Sequence, residues 1–296
     1  MEEAGRGTRV SAGEPVILTC ALSGALASRE QCPAIPYTPA EYAAEARRVV
    51  DEGGVMVHLH ARTVSGEPSH EVSDFRAITE AIRDEVGDAV IVNYSTGALG
   101  VPVAKRLEYL RELRPEIGAL NMGSMNYAKY SSRRKAFVFA AVFENSFETI
   151  RALLDGMVQA GIRPEHECFD SGHVASLDPL LDMGVLEPPL SVSFVMGVTG
   201  GIRPTARNVA HMAEQVPDVP HQWGVIGISR AQWGLLAAAL SLGGNVRVGL
   251  EDNFYLPSGE MARSNGELVA RAARMATDAG RRLATVGEAR ELLGLA

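Results

Sequence analysis

Eight short apolar runs, each followed by a longer amphipathic run, recur along this 296-residue chain. That alternation limits the fold more than any other feature. Strands buried on both faces read as unbroken apolar stretches, and parallel neighbours need a crossover helix between them. The strand runs are PVILTCAL near Val16, GVMVHLH, AVIVNYS, IGALNMG, EHECFDSG, LSVSFVMGV, HQWGVIGIS and NVRVGLED. Helices are expected from Thr38, over residues 70–85, through VPVAKRLEYLRELRP to Pro115, and over 146–160. Others follow as a short one after the fifth strand, one from near Thr205, one through AQWGLLAAALSLGG, and one over 261–280. Thr38 suits an N-cap, Pro39 the first helical position, and Gly53-Gly54 the stop. Eight βα units predict the α/β class and, at this length, one closed (β/α)8 barrel. An open doubly wound sheet is the alternative, but no linker divides the chain into the two lobes it would usually need. The expected layout is a flexible polar tail over 1–14, a catalytic barrel over 15–296 and an extra C-terminal helix at 286–293. The stretch before residue 146 shows no regular period.

Hydrophobic residues make up 46% of the chain, enough for a full core. A formal charge of −8 argues against nucleic-acid or anionic-membrane partners. No apolar run approaches the roughly 18 residues of a membrane span. Lysine is scarce, with only Lys105, Lys129 and Lys135, which limits Schiff-base chemistry. Cys20, Cys32 and Cys168 form no CxxC pair, so neither a zinc knuckle nor a dithiol is indicated, and a cytoplasmic location is expected.

Polar residues collect at the C-terminal ends of the strand runs, where α/β barrels carry their chemistry. The second run ends in His58 and His60, the third in Asn93, Ser95 and Thr96, and the fourth in Asn121. Glu167 and Asp170 lie on the fifth, and Arg247, Glu251 and Asp252 close the eighth. Residues i and i+2 of a strand share a face, so both imidazoles can reach one ion. Two histidines and a carboxylate leave an open coordination position, the catalytic zinc arrangement, and Glu251 is the best third ligand. The competing reading is a pair of structural histidines. Asp252 is a general base or a loop cap. Parity puts Arg247 on the face of Glu251, and Glu167 can balance its charge, in catalysis or as a structural ion pair. The NYSTGALG stretch, with Ser95, Thr96, Gly97 and Ala98, is a carboxylate-binding loop or a plain turn. MGVTGG near Gly200 matches no phosphate-loop spacing and is a weak candidate for cofactor contact. His211 falls in a helix and is expected at the surface.

With PAIPYTPAEYAAEA, VHLHAR, STG, LNMGSMN, HECFDSG, GGNVRVGLEDN and SNGELV…ATVGEARELL, the sequence resembles the β-keto acid cleavage enzymes. The founding activity of that family is 3-keto-5-aminohexanoate cleavage. The likeness runs from about Val16 to Leu295. It implies a (β/α)8 homotetramer with zinc on His58, His60 and Glu251, although other divalent ions fit the same ligands. It also implies a base at Asp252, a supporting arginine at Arg247 and a glutamate at Glu167. The implied reaction joins a β-keto acid to acetyl-CoA, giving acetoacetate and a new acyl-CoA. A base removes the proton between the two carbonyls, the enolate attacks the thioester, CoA moves within the adduct, and a retro-Claisen step releases acetoacetate.

Two positions depart from the founding member. Leu26 stands where that enzyme has a glutamate for the substrate ammonium, and Ala119 stands in place of a threonine near the substrate. Both point to a β-keto acid with a neutral or apolar tail. A competing enzyme class is the amidohydrolase type of metal-dependent hydrolase, whose His-x-His sits on the first strand with further histidines. A non-catalytic metal- or ligand-binding barrel is the third reading, set low by the presence of Arg247, Glu251 and Asp252 together.

Overall fold

Each strand run is buried on both faces, so the sheet can lie only between an inner and an outer packing layer. The computed structural model describes residues 13–295 and shows that arrangement as a closed barrel. Its strands are β1 (Leu18–Ala21), β2 (Met56–Leu59), β3 (Ile91–Ser95), β4 (Ile117–Asn121), β5 (Arg163–Cys168), β6 (Leu190–Met196), β7 (His221–Gly227) and β8 (Asn245–Val248). Every pairing is parallel and follows chain order, with β8 closing on β1. The protein is therefore a (β/α)8 barrel.

The helices are α1 (Pro39–Asp51), α2 (Val72–Val86), α3 (Val103–Leu113), α4 (Phe147–Ala160), α5 (Ser171–Ala175), α6 (Leu177–Asp182), α7 (Ala206–Ala213), α8 (Gln232–Ser241), α9 (Asn265–Asp278) and α10 (Val286–Leu293). Thr38 and Glu41 form a reciprocal capping box on α1, and Thr285 with Glu288 does the same on α10. Ser146, Thr205 and Ser264 cap α4, α7 and α9 through their side chains. The Ser264 cap explains why α9 starts at Asn265 and not near residue 261. Outward strand residues such as Cys20, Val57, Leu59, Val92 and Tyr94 pack with the helices in the main core.

At the N-terminal pole, the inward Met56, Ile91 and Ile117 meet Ile17 with Ala289 and Leu293 of α10. The extra helix is thus a floor to the barrel. Burying a leucine such as Leu293 contributes roughly 1.5–3 kcal/mol. A short parallel pair, Pro15–Val16 with Arg282–Leu283, pins the approach to α10. The proposed tail over 1–14 falls mostly outside the described residues. Gly13, the first described, already donates its N–H to the Gly280 carbonyl. Among the described residues no helix is long and apolar enough to cross a membrane.

The stretch without a readable period is an antiparallel hairpin, Met125–Ser131 with Ala136–Phe143. It rises between β4 and α4 at the catalytic pole. Its root packs on the barrel mouth, where Phe143, Met125 and Tyr127 meet Phe169, Val195 and Ile226. The MGVTGG segment serves this packing. Ala128 bridges to Thr199, and a Cβ on Gly200 would meet the Asn126 carbonyl oxygen at 1.8 Å. Gly200 thus admits the hairpin backbone, which is a structural reason for a glycine at that position.

Candidate active site

β2 sends His58 into the barrel and His60 to the rim just beyond the strand end. His58 is buried and His60 is 13% exposed. Their rings meet edge to face with centroids 5.4 Å apart. β8 stops at Val248, earlier than parity reasoning assumed. Gly249 then adopts φ +138°, and a Cβ there would lie 2.1 Å from the Ala21 carbonyl oxygen. Only glycine allows this close turn. The turn, and not a continuing strand, carries Glu251 and Asp252, so both carboxylates reach Arg247.

Arg247 is the hub. Its Nε and Nη2 donate to the two oxygens of Asp252, each at 3.0 Å. Nη1 donates to Glu167 Oε1 at 3.3 Å, and Nη2 lies 3.2 Å from Glu251 Oε1. Glu251 Oε1 is 3.3 Å from His60 Nε2, and Oε2 is 3.9 Å from His58 Nε2. Burial, followed by the Arg247 charge, holds His58 well below its ordinary pKa, which favours the uncharged ring. Burial works against the Glu251 charge, but His60, Arg247 and His58 outweigh it and hold that carboxyl below the usual range. Burial raises Asp252 and Glu167 despite the Arg247 charge.

These residues suit a divalent cation. Nitrogen and oxygen atoms of His58, His60 and Glu251 all lie within 4.8 Å of one another. Tetrahedral ligands about 2.1 Å from zinc stand roughly 3.4 Å apart, and the two Glu251 oxygens lie at comparable separations, Oε1 from His60 and Oε2 from His58. Glu251 Oε2 is buried without a partner. Three carboxylates surround one guanidinium, so the cluster carries surplus negative charge that a dication would offset. A second grouping, His58 with Glu165 and Glu167, is also within reach of an ion. Its carboxylates are already engaged, Glu165 by Asn93 and Ser193 and Glu167 by Arg247.

The third-strand loop lies beside this cluster. Ser95 Oγ accepts from the Gly97 N–H at 3.1 Å, and a Cβ on Gly97 would lie 3.3 Å from Asn121 Nδ2. Ser95, Gly97 and Asn121 therefore share one face of the mouth, with Ala98 half-buried next to them. Thr96 points elsewhere, donating its hydroxyl to the Ala119 carbonyl at 2.5 Å. Ala119 is fully buried and paired in register with Ser95. Leu26 is 63% exposed, two residues beyond Gly24. A Cβ on Gly24 would come within 2.7 Å of Glu251 Cγ, so this loop leans directly on the cluster. Buried Arg62 braces it, donating to the carbonyls of Gly24 and Ala27 at 2.9 and 2.6 Å. Asp170, also on the fifth run, is the N-cap of α5, and His211 is exposed on α7.

Tyr127 was not legible as a site residue. It comes from the hairpin, stacked near Phe139 and Phe143. Burial first, and then the charges of Glu251, Asp252 and Glu167, push its hydroxyl up to about 12. The ring thus sits at the barrel mouth, within the field of the same carboxylates.

The model of the beta-keto acid cleavage enzyme family matches residues 15–295. A 3-keto-5-aminohexanoate cleavage enzyme of Fusobacterium nucleatum is 36% identical over 95% of this chain and 98% of its own. The 3,5-dioxohexanoate:acetyl-CoA acetone transferase of Paraburkholderia graminis is 33% identical over 95% of this chain and 96% of its own. Among solved structures, apo ObcA superposes with a TM-score of 0.71 at 20% identity, covering 88% of this chain and 66% of that longer one, a likeness of fold. With a family model spanning the whole barrel and relatives matched nearly end to end, the chain belongs to the beta-keto acid cleavage enzyme family.

Proposed function

We propose that the protein condenses a β-keto acid with acetyl-CoA to give acetoacetate and a new acyl-CoA, using zinc held by His58, His60 and Glu251. The observation that carries this reading is the junction of that ligand set with the Arg247–Asp252 pair. The names of the relatives, which include acetyl-CoA transferases of oxo acids, support it.

When bound, zinc supplies Lewis acidity that stabilises an enolate. Asp252 is the base for the proton between the two carbonyls, its carboxylate made more basic by burial. Arg247 aims that carboxylate through two hydrogen bonds, and Glu167 steadies Arg247. The enolate attacks the acetyl-CoA thioester carbonyl and CoA leaves. CoA then attacks the original ketone, C–C cleavage releases acetoacetate, and Asp252 returns the proton. Ser95, Gly97, Ala98 and Asn121 receive the substrate carboxylate, while Thr96 and Ala119 form the wall behind them. The hydrolase reading is weaker, because no additional histidine joins His58 and His60 among the described residues. The decisive assay is a panel of β-keto acids with acetyl-CoA, read as acetoacetate. Release of free CoA in place of acyl-CoA would point to hydrolysis.

Leu26 makes the tail of the substrate neutral or apolar. On that panel, 3-oxohexanoate-like acids are expected to exceed 3-keto-5-aminohexanoate in kcat/KM. Leu26→Glu is expected to shift that ratio toward the amino substrate by about tenfold, or ~1.4 kcal/mol. A wild-type preference for the amino acid would refute the assignment.

The hairpin exposes Tyr130, Phe137, Val138 and Val142 on its outer face. Apolar patches of this kind mark association surfaces. We take the protein to be a homotetramer in which the hairpin contacts a second copy. Phe137→Asp with Val142→Asp is expected to lower the mass measured by light scattering, and an unchanged mass would exclude the hairpin. Cys20, Cys32 and Cys168 are buried and unpaired, which suits a reduced cytoplasmic setting.

A further inference from the structure

We propose that Glu165, acting through Asn93, decides which nitrogen of His58 carries the proton. Neither residue is assigned a role in the proposed reaction, and the inference rests on reading His58 as a metal ligand.

Register places the parts. β2 and β3 pair His58 with Asn93, so both side chains leave the sheet on its inner face. Both are buried, at 1% and 0% exposure. His58 Nδ1 and Asn93 Oδ1 are two buried polar atoms with no partner in hydrogen-bonding geometry. The other end of the Asn93 amide is fixed, because Nδ2 donates to Glu165 Oε2. Glu165 Oε1 accepts from the Ser193 hydroxyl at 2.5 Å, so both carboxylate oxygens are acceptors.

The direction of this chain follows from what each group can do. An ionised carboxylate only accepts, so the NH2 end of Asn93 must face Glu165. Its carbonyl end then faces His58, and a carbonyl also only accepts. A neutral imidazole has one donor nitrogen and one acceptor. Nδ1 must therefore carry the proton. Nε2 keeps its lone pair, and Nε2 is the nitrogen directed at Glu251. Reversing the amide would set carbonyl against carboxylate in a dry interior, which is costly. Glu165 is thus a positioning residue three side chains deep, and its engaged oxygens explain why it is not itself a ligand.

The test uses metal-free, full-length protein with 15N-labelled histidine, His58 being assigned by its loss in His58→Gln. Long-range 1H–15N spectra of the wild type are expected to show the Nδ1–H tautomer. Asn93→Leu is expected to give mixed tautomers and a 10–100-fold loss of Zn2+ affinity, measured by competition with a chromophoric chelator. The double variant Asn93→Asp/Glu165→Gln keeps an acceptor toward His58 and supplies a donor behind it. It is expected to retain the tautomer and to recover most of the affinity. An Nε2–H tautomer in the wild type overturns the proposal. So does a folded Asn93→Leu protein with wild-type tautomer and affinity, or a folded double variant no better than Asn93→Leu. Melting temperatures report folding, and if Asn93→Leu does not fold, the wild-type spectrum and the double variant decide. Wild-type protein that shows the Nδ1–H tautomer yet binds no Zn2+ supports the hydrogen-bond chain and refutes the metal reading separately.

Discussion

Glu251→Gln is expected to strip the protein of its metal and lower kcat/KM by at least about 10³-fold, roughly 4 kcal/mol of transition-state stabilisation. Glutamine keeps the volume and reach of the side chain but replaces a charged ligand oxygen with a neutral amide. Histidine binds a metal as the neutral imidazole, so Glu251 would supply the ligand set's only formal charge. Its loss also removes a carboxylate from beside Arg247, though Asp252 and Glu167 still satisfy that guanidinium. The variant should therefore fold, with a melting temperature near that of the wild type. Elemental analysis of purified protein and steady-state turnover read the two effects. Full metal content with undiminished turnover would remove Glu251 from the site.

Asp252→Asn is expected to separate chemistry from metal binding. Asparagine still accepts from Arg247 but cannot take a proton at neutral pH. A fall of about 10²–10⁴-fold in kcat is expected, the usual worth of a positioned base, with metal content unchanged. Enzyme-dependent exchange of the substrate's C2 proton with D2O, followed without acetyl-CoA, should fall in parallel. That exchange isolates the first step from CoA chemistry. If exchange survives while turnover is lost, Asp252 acts later and another group is the base. Arg247→Met is a different case, because it leaves buried carboxylates facing one another without compensation. Removing one partner of such a network typically costs about 3–5 kcal/mol of stability.

The barrel was legible because its physics is local. Strands buried on both faces are mainly apolar, with polar residues mostly on the inner face, and several helices show their caps, as Thr38 with Glu41 and Thr285 with Glu288 do. His58 and His60 were legible because two residues is the period of a strand. The hairpin was not. AFVFAAVF alternates with nothing and pairs only with its own antecedent strand, so no barrel neighbour marks it. Tyr127 was hidden for that reason. Glu165 was hidden for another, and Asn93 was legible only as a polar strand-end residue, since their pairing spans 72 positions of the chain. Asp252 was only half legible. Strand parity would have turned it outward, and the Gly249 turn, which depends on contact with Ala21, brings it in.

The hairpin turns Tyr127 and Phe143 toward the barrel mouth and Phe137, Val138 and Val142 away from it. One ribbon thus answers to two selections, what it touches outside and what it admits within. In lineages of this chain, changes at subunit contacts and changes in substrate range should arise together, at neighbouring positions of a segment the barrel itself does not require.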